Sequence, residues 1–587
     1  MSDDKQAFKP PSHKKINFQL PHVIAIIFFS VVLGIYIWSL CPTVYLIDSG
    51  ELAAVSYTLG IAHPTGYPLY TIISFFFARL GGEPVYNLNV LSALLSATAA
   101  LFLFLTARTI LKNTLLALLP ASLFAFAPII WRTSLTNEVY PLTALFTLLI
   151  LYCLFRMRDE RHFYILMYLA GLSFTNHMMI FSLVIPVIIY AIIVYRITLP
   201  KILLGGILAF TGISLYLYLL ARTAGAAELN WGNAYNLQRL LWHMTGKQYQ
   251  VWMFSLPMNE IMKNVSSGLS MLLRNFLYLF AGGILAGLYY LYRHDRSKFW
   301  LFSAIIALNI AYTVNYSIPD IEAYYIPTLV AGITVFIYGV RLLTQYARWY
   351  IVIPAALIIP LINYNTCTLR GNTFGLDFGR IHIEQLPEHS TLICTYWDIY
   401  SPLIYLRHVK DIRSDIIMID KELLRRTWYI DYLQHEYPEL FARIHGSVEQ
   451  YLVELYKFEY DKPYNRTMIQ ARFIDLLNDI VRQAPGTVYF ATPVTDQDLA
   501  QVQPQLLRIP RGMVMELRSD TTGYDPFDFT QFSLSPPRSI NDLRLRYNIE
   551  MVKRMALNNV RFLTITGNTY AAGQAETWLR TFSSDRK

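Results

Sequence analysis

The sequence predicts a polytopic α-helical membrane protein of about eleven transmembrane helices with a C-terminal extracytoplasmic α/β domain. Three observations carry this. The 587 residues are 54% hydrophobic and only 15% charged, where a soluble chain averages about 25% charged. The charge deficit falls on residues 20–365, where apolar runs alternate with short polar gaps; the remainder reads as ordinary soluble protein. Lys and Arg around the apolar runs concentrate on alternate loops, the asymmetry that sets membrane orientation.

Residues 1–20 are basic and precede an apolar run with no small-residue cleavage site after it. They read as a cytoplasmic tail before an uncleaved first span. Residues 21–365 form the transmembrane domain, with candidate spans near 21–40, 88–111, 114–131, 139–156, 162–176, 178–196, 202–221, 269–292, 299–316, 325–344 and 348–364. The amphipathic stretch 66–80 either crosses or lies flat at the interface. Lys14, Lys15, Arg108, Lys112, Arg156, Arg158, Arg161, Arg293, Arg296 and Lys298 then share the inner side with the N-terminus. An odd span count leaves the C-terminal half outside a multi-pass inner or plasma membrane.

Residues 366–537 form the extracytoplasmic α/β domain. β-rich runs at 391–396, 415–420 and 486–492 alternate with helical patterns, including one from about Thr495, so the sheet is partly parallel. No Gly-rich phosphate loop follows any of these runs. Residues 538–587 form a C-terminal helical segment. In "WDIY", Asp398 either caps the helix or pairs with Trp397 as aromatic–acid pairs do in carbohydrate sites.

The net charge of +9 flanks the spans and forms no basic stripe with stacking aromatics, which excludes nucleic acid as a partner. Cys41, Cys153, Cys367 and Cys394 lack metal spacing and read as unpaired thiols, with a Cys367–Cys394 disulfide as the alternative. There is no HExxH, GxSxG, P-loop or Cys/His cluster. That removes zinc proteolysis, ordinary serine hydrolysis and nucleotide hydrolysis. No metal ligand set is assigned; a divalent metal is not indicated but stays open, since Asp320 and Glu322 could bind the acceptor or a metal.

Six polar segments fall on the outer face: "DSGE" from Asp48, "HPTGYP" from His63, "WRTSLTNEVYP" from Trp131, "TNH" from Thr175, the loop Asn230–Trp252, and "NYSIPDIEAYY" from Asn315. Ionisable groups at membrane depth are functional-site candidates. Carboxylates, amides, a few cations and many aromatics suit transfer of a group from a lipid-linked donor to a hydroxyl. A carboxylate takes the hydroxyl proton, and cations offset the leaving phosphate.

Asp48 is the first candidate base, with Glu51 one helical turn on. The competing reading is a capping box, since Asp48 is followed three positions later by Glu51 and then an apolar run. Glu138 is the second candidate carboxylate. Substrate-binding candidates are His63, Asn137, Glu138, His177, Arg222, Arg239, His243, Lys247, Gln248, Tyr249, Asp320, Glu322 and Tyr325. Of these, Arg222, Arg239 and Lys247 are read as phosphate partners, against a bland role as snorkelling cations.

"DSGELAAVSYTLGIAHPTGYPLY", "NEVYPLTALF", "GLSFTNHMM", "LNWGN…LWHMTGKQY" and "DIEAYYIPT" resemble, in order, the transmembrane-protein-260-like family, and the likeness extends into "LICTYWDIYSPLIYLRHVKDIRSDIIMID". The resemblance implies a type C glycosyltransferase fold, a polyprenyl-phosphate sugar as donor, mannose as the suggested sugar, and an extracytoplasmic protein or glycan acceptor. It implies inversion at the anomeric carbon with a first-loop acid, Asp48, as base. "HPTGYP" departs from the family pattern and leaves the acceptor open, as the sequence leaves oligomeric state. The rival readings are a transporter or lipid flippase, which needs mid-span polarity and discontinuous paired helices, and a non-catalytic envelope scaffold.

Overall fold

The computed structural model describes residues 20–584 except 279, 319, 345–351, 492–495 and 538–541. The expected N-terminal tail with Lys14 and Lys15, the start of the span at 348–364 and the first residues of the C-terminal segment lie outside the described residues.

The membrane half begins with α1 (Leu20–Ser39), then α2 (Ser49–Thr58), α3 (Pro68–Ala78) and α4 (Pro84–Leu111). It continues with α5 (Leu118–Ala125), α6 (Pro128–Thr133), α7 (Tyr140–Phe155), α8 (Glu160–Phe174), α9 (Phe181–Val194), α10 (Leu199–Ile213) and α11 (Leu217–Ala224). After α12 (Leu237–Met244) come α13 (Met258–Asn275), α14 (Ala281–His294), α15 (Arg296–Thr313), α16 (Ile326–Leu343) and α17 (Val352–Cys367). Four helical stretches among the described residues are long and apolar enough to cross a bilayer by length and composition: Leu20–Ser39, Pro84–Leu111, Leu199–Ala224 and Ile321–Leu343.

Two expected spans are not single helices. The run 114–131 is divided into α5 and α6 at Ala127, which is extended (φ −62°, ψ 133°) ahead of Pro128; proline disfavours the helical conformation of the residue before it. The run 269–292 is divided between α13 and α14, where Leu277 (φ 47°) and Tyr278 (φ 51°) turn left-handed. The ambiguous stretch 66–80 is α3, whose 11 residues reach roughly 16 Å, too short to cross.

The C-terminal half carries a sheet of β1 (Thr391–Cys394), β2 (Ile417–Asp420), β3 (Val488–Ala491), β4 (Leu507–Arg511) and β5 (Val514–Arg518), in the order β2-β1-β3-β5-β4. β1 pairs in parallel with both β2 and β3, in register Thr391 to Ile417 and Thr391 to Val488. β5 runs antiparallel to β3 and forms a hairpin with β4. Its helices are α18 (Phe374–Arg380), α19 (Trp397–His408), α20 (Thr427–Glu436), α21 (Pro438–Arg443), α22 (His445–Glu459), α23 (Arg466–Gln483), α24 (Leu543–Ile565) and α25 (Thr569–Ser584). The helix expected from Thr495 is, among the described residues, only the 3-10 turn Leu499–Gln501. All four cysteines are free and buried.

The two halves share one apolar core. Leu46, Ala54, Ile61 and Trp231 pack in the same cluster as Phe374, Leu392, Ile399 and Trp428. The seam is α19 lying on α2. A Cβ on Gly50 would stand 2.2 Å from the backbone oxygen of Ser401, so Gly50 serves close approach of two helices.

Candidate active site

The chain leaves α1 and turns at Ile47 (φ 62°). The Ile47 N–H donates to Asp398 Oδ1 at 2.9 Å. Asp48 then occupies the residue before α2 (φ −89°, ψ −5°), but its side chain makes no capping hydrogen bond. Its Oδ1 instead accepts the indole Nε1–H of Trp397 at 2.7 Å. The capping box, the competing reading, is therefore not formed: Asp48 is held by Trp397 and Glu51 by His63.

Glu51 is buried, with its side chain 2% exposed. Its Oε2 lies 2.7 Å from His63 Nδ1, and its Oε1 accepts the His63 backbone N–H at 2.9 Å. His63 Nε2 is 3.0 Å from the Tyr67 hydroxyl and 3.7 Å from Asp48 Oδ2. Burial pulls the His63 imidazolium down, but Glu51 and Asp48 outweigh it and lift the group to about 10. Burial raises Asp48 above the usual carboxylate range, His63 opposes that, and Glu51 adds to it. A base with a raised pKa is better matched to taking a proton at neutral pH.

Ligand atoms of Asp48, Glu51 and His63 lie within 4.8 Å of one another. Within that group His63 Nδ1 and Nε2 are already engaged by Glu51 and Tyr67.

A second ring of residues fixes this cluster. Asn137 clamps the start of α2: Ser49 Oγ donates to its Oδ1 at 2.6 Å, and its Nδ2 donates to the Ser49 carbonyl at 2.9 Å. Glu138 beside it has no hydrogen bond to its carboxylate among the described residues. Burial, then Asp48 and Asp320, hold it well above its ordinary value. Asp320 accepts the Tyr140 hydroxyl at 2.6 Å, and burial followed by Asp48 raises it too. His177 accepts the Met179 N–H at 3.2 Å and stacks on Tyr67 with centroids 5.9 Å apart. Burial drops it to about 3, so it is neutral. Glu322 is exposed in the 3-10 turn Ile321–Tyr325, whereas Tyr325 is buried and packs against Gly268 of α13.

The cations nominated from sequence are committed elsewhere. Arg222 Nε donates to the Leu59 carbonyl at 2.7 Å. Arg239, 5% exposed, pairs with Glu459 at 2.8 Å, and Lys247 pairs with Asp461 at 2.7 Å. His243 Nε2 donates to the Ala62 carbonyl at 3.0 Å, and burial keeps the ring neutral at about 3. Gln248 accepts from Trp231 Nε1 at 3.4 Å, and Tyr249 stacks on Trp252. Arg239, His243, Lys247 and Gln248 line a pocket of about 350 Å³ between the outer loop and the C-terminal half.

Several residues at the site were not nominated from sequence. Trp231 stands edge-on to His63 at 5.9 Å and to Trp397 at 5.7 Å. Ser401 Oγ accepts the Glu51 N–H at 3.0 Å. Asp398 does not cap its own helix; it is fully buried and holds Ile47, Arg544 and Asn548. The aromatic–acid pair "WDIY" was the available signal.

Helices too apolar for water, opening at one end on a buried carboxylate–imidazolium cluster completed by a sheet domain, define a polytopic membrane protein with the fold of the ArnT-type (GT-C) glycosyltransferases. The crystal structure of ArnT from Cupriavidus metallidurans bound to undecaprenyl phosphate superposes with a TM-score of 0.53 at 12% identity, covering 85% of this chain and 99% of that one. Residues 48–200 match the family described as protein O-mannosyl-transferase TMEM260 N-terminal domain, the family the motifs resemble, and the match opens at Asp48. Protein O-mannosyl-transferase TMEM260 of Mus musculus is 26% identical over 435 residues, 67% of this chain and 61% of the relative. The Dictyostelium discoideum protein of that name is 22% identical over 475 residues, 69% of this chain and 58% of the relative. The chain thus spans about three-fifths of the length of these curated relatives.

Proposed function

We propose that the chain is an integral-membrane glycosyltransferase that moves a sugar, mannose by likeness to its relatives, from a polyprenyl-phosphate donor to an extracytoplasmic protein or glycan hydroxyl. The observation that carries this reading is Asp48: a half-buried carboxylate of raised pKa, held by Trp397 and faced by the His63 imidazolium. In this reading Asp48 takes the proton of the acceptor hydroxyl as that oxygen attacks the anomeric carbon. The bond from that carbon to the phosphate oxygen breaks, its electron pair stays on the phosphate, and the configuration inverts.

The reading keeps residues 1–20 in the cytoplasm, 21–365 as a membrane domain, and 366–537 with 538–587 outside. Docking of α19 and α24 beside the first outer loop supports that placement. An apolar groove of about 560 Å³ runs between α1, α5 and α17, past Ile24, Val31, Phe126 and Tyr364. It suits a lipid chain.

The test is transfer from a radiolabelled polyprenyl-phosphate sugar by purified protein. Asp48→Asn should lose about 10²–10⁴-fold in rate; full activity in that variant removes Asp48 as base.

A further inference from the structure

The donor proposed above ends its reaction as a phosphate monoester, one charge more negative than it began. It would do so beside Asp48, Glu51, Glu138 and Asp320. A developing anion among carboxylates needs a preorganised cation. The imidazolium of His63 is spent on Glu51 and Tyr67. Arg239 and Lys247 are paired with acids, and Arg222 holds the Leu59 carbonyl at the end of α2 opposite Asp48.

Arg544, from the first turn of α24, is placed differently. Its Nε donates to Asp398 Oδ2 at 2.7 Å, with the side chain 16% exposed and Asp398 0% exposed. Asn548 Nδ2 holds the same oxygen at 2.8 Å. The other oxygen of Asp398 accepts the Ile47 N–H, one residue before Asp48. The neighbouring residue Trp397 holds the Asp48 carboxylate itself. Two consecutive residues therefore fix the candidate base and the guanidinium in one frame. Arg544 acts electrostatically on both Asp48 and Asp320. Among the described residues, no hydrogen-bond acceptor is assigned to its two Nη groups. A guanidinium gripped at Nε presents those paired donors in the fork that matches phosphate.

We infer that Arg544, oriented by Asp398 and Asn548, forms the phosphate subsite of this centre and binds the phosphate of the lipid-linked donor. Arg544 is then a substrate-binding residue, and Asp398 and Asn548 are positioning residues. The C-terminal half completes the site. The inference rests on the transferase reading, but its test separates the two.

The experiment measures binding of undecaprenyl phosphate and of undecaprenol, which lacks the phosphate, to purified full-length protein in nanodiscs. Wild type should favour the phosphate lipid. Arg544→Gln, which keeps a donor for Asp398, should weaken undecaprenyl phosphate about 10- to 100-fold and leave undecaprenol unchanged. Arg544→Lys, which keeps the charge without the fork, should fall between. Added inorganic phosphate should compete with the lipid for wild type and not for Arg544→Gln. If wild type shows no preference for the phosphate lipid, the transferase reading fails with the inference. If wild type shows it and Arg544→Gln retains it in full, the subsite is overturned and the transferase reading stands. If Arg544→Gln loses both lipids equally, the residue acts on the fold and the subsite is again overturned.

Discussion

The indole of Trp397 donates to the carboxylate of Asp48 at 2.7 Å across 349 positions of sequence. The donor begins the helix after β1, and the acceptor follows the first membrane helix. A hydrogen bond to a charged group contributes about 1.5–3 kcal/mol, and it favours the ionised form. Here it keeps a half-buried carboxylate usable as a base.

Trp397→Phe keeps the ring and removes the N–H. Asp48 should become harder to ionise, so the acid limb of the pH–rate profile should move to higher pH. At pH 6 the rate should fall roughly tenfold, about one pKa unit's worth of interaction, and recover toward pH 9. A profile of unchanged shape would show that the bond does not tune the base.

Glu51→Gln removes the main partner of His63. The folded pKa of His63, about 10, exceeds its ordinary 6.5. Its stabilisation is thus fully present below pH 6.5 and lost as pH rises through about 10. Removing the carboxylate lets burial dominate, so the loss should begin at lower pH. Breaking a buried pair costs about 3–5 kcal/mol. Thermal unfolding in detergent at pH 6, 8 and 10 reads both the drop and its pH dependence. Equal stability of variant and wild type at pH 6 would contradict the pairing.

Much of this site was legible one residue at a time. Asp48 and Glu51 stand out because acids beside an apolar run need a reason, and His63 because it precedes a proline. Their partners were not legible. The spacing of Asp48 and Glu51 fits a capping box as well as it fits two separate contacts, and only the fold brings Trp397 and His63 to them. Arg239 and Lys247 look available in sequence because Glu459 and Asp461 lie 220 and 214 positions away. The break at Ala127 had its proline signal. The break at 276–280 had none, since Leu277 and Tyr278 are ordinary apolar residues forced left-handed where α13 gives way to α14.

Gly50→Ala tests the seam between the halves. The added methyl would stand 2.2 Å from the Ser401 oxygen and 2.7 Å from the Pro402 nitrogen, both backbone atoms that cannot swing aside. Overpacking of this kind costs about 1–3 kcal/mol or more. It should part α19 from α2 and expose the C-terminal half to limited proteolysis near residues 368–396. Protection equal to wild type would show that the seam yields without opening.

Glu138 is the strongest rival to Asp48 as base, and its surroundings argue against that role. No hydrogen bond to its carboxylate is present among the described residues. Burial, with Asp48 and Asp320 beside it, holds its pKa well above the ordinary value. Asp48 is raised too, but it has the Trp397 hydrogen bond opposing the rise, so Glu138 is the harder of the two to ionise; a neutral acid can donate a hydrogen bond but cannot accept the acceptor's proton. Two interacting carboxylates driven apart in this way take different roles. Glu138→Gln preserves a neutral donor of the same shape, so transfer should stay within about threefold while Asp48→Asn loses about 10²–10⁴-fold. The stability effect has a definite sign. The folded state holds this proton at pH values where the unfolded chain has released it, so stability falls as pH rises above the ordinary carboxyl range. Glu138→Gln removes that loss, and its unfolding temperature should gain on wild type at pH 9 relative to pH 5. A Glu138→Gln protein as inactive as Asp48→Asn, with stability following wild type at both pH values, would reverse the assignment and make Glu138 the base.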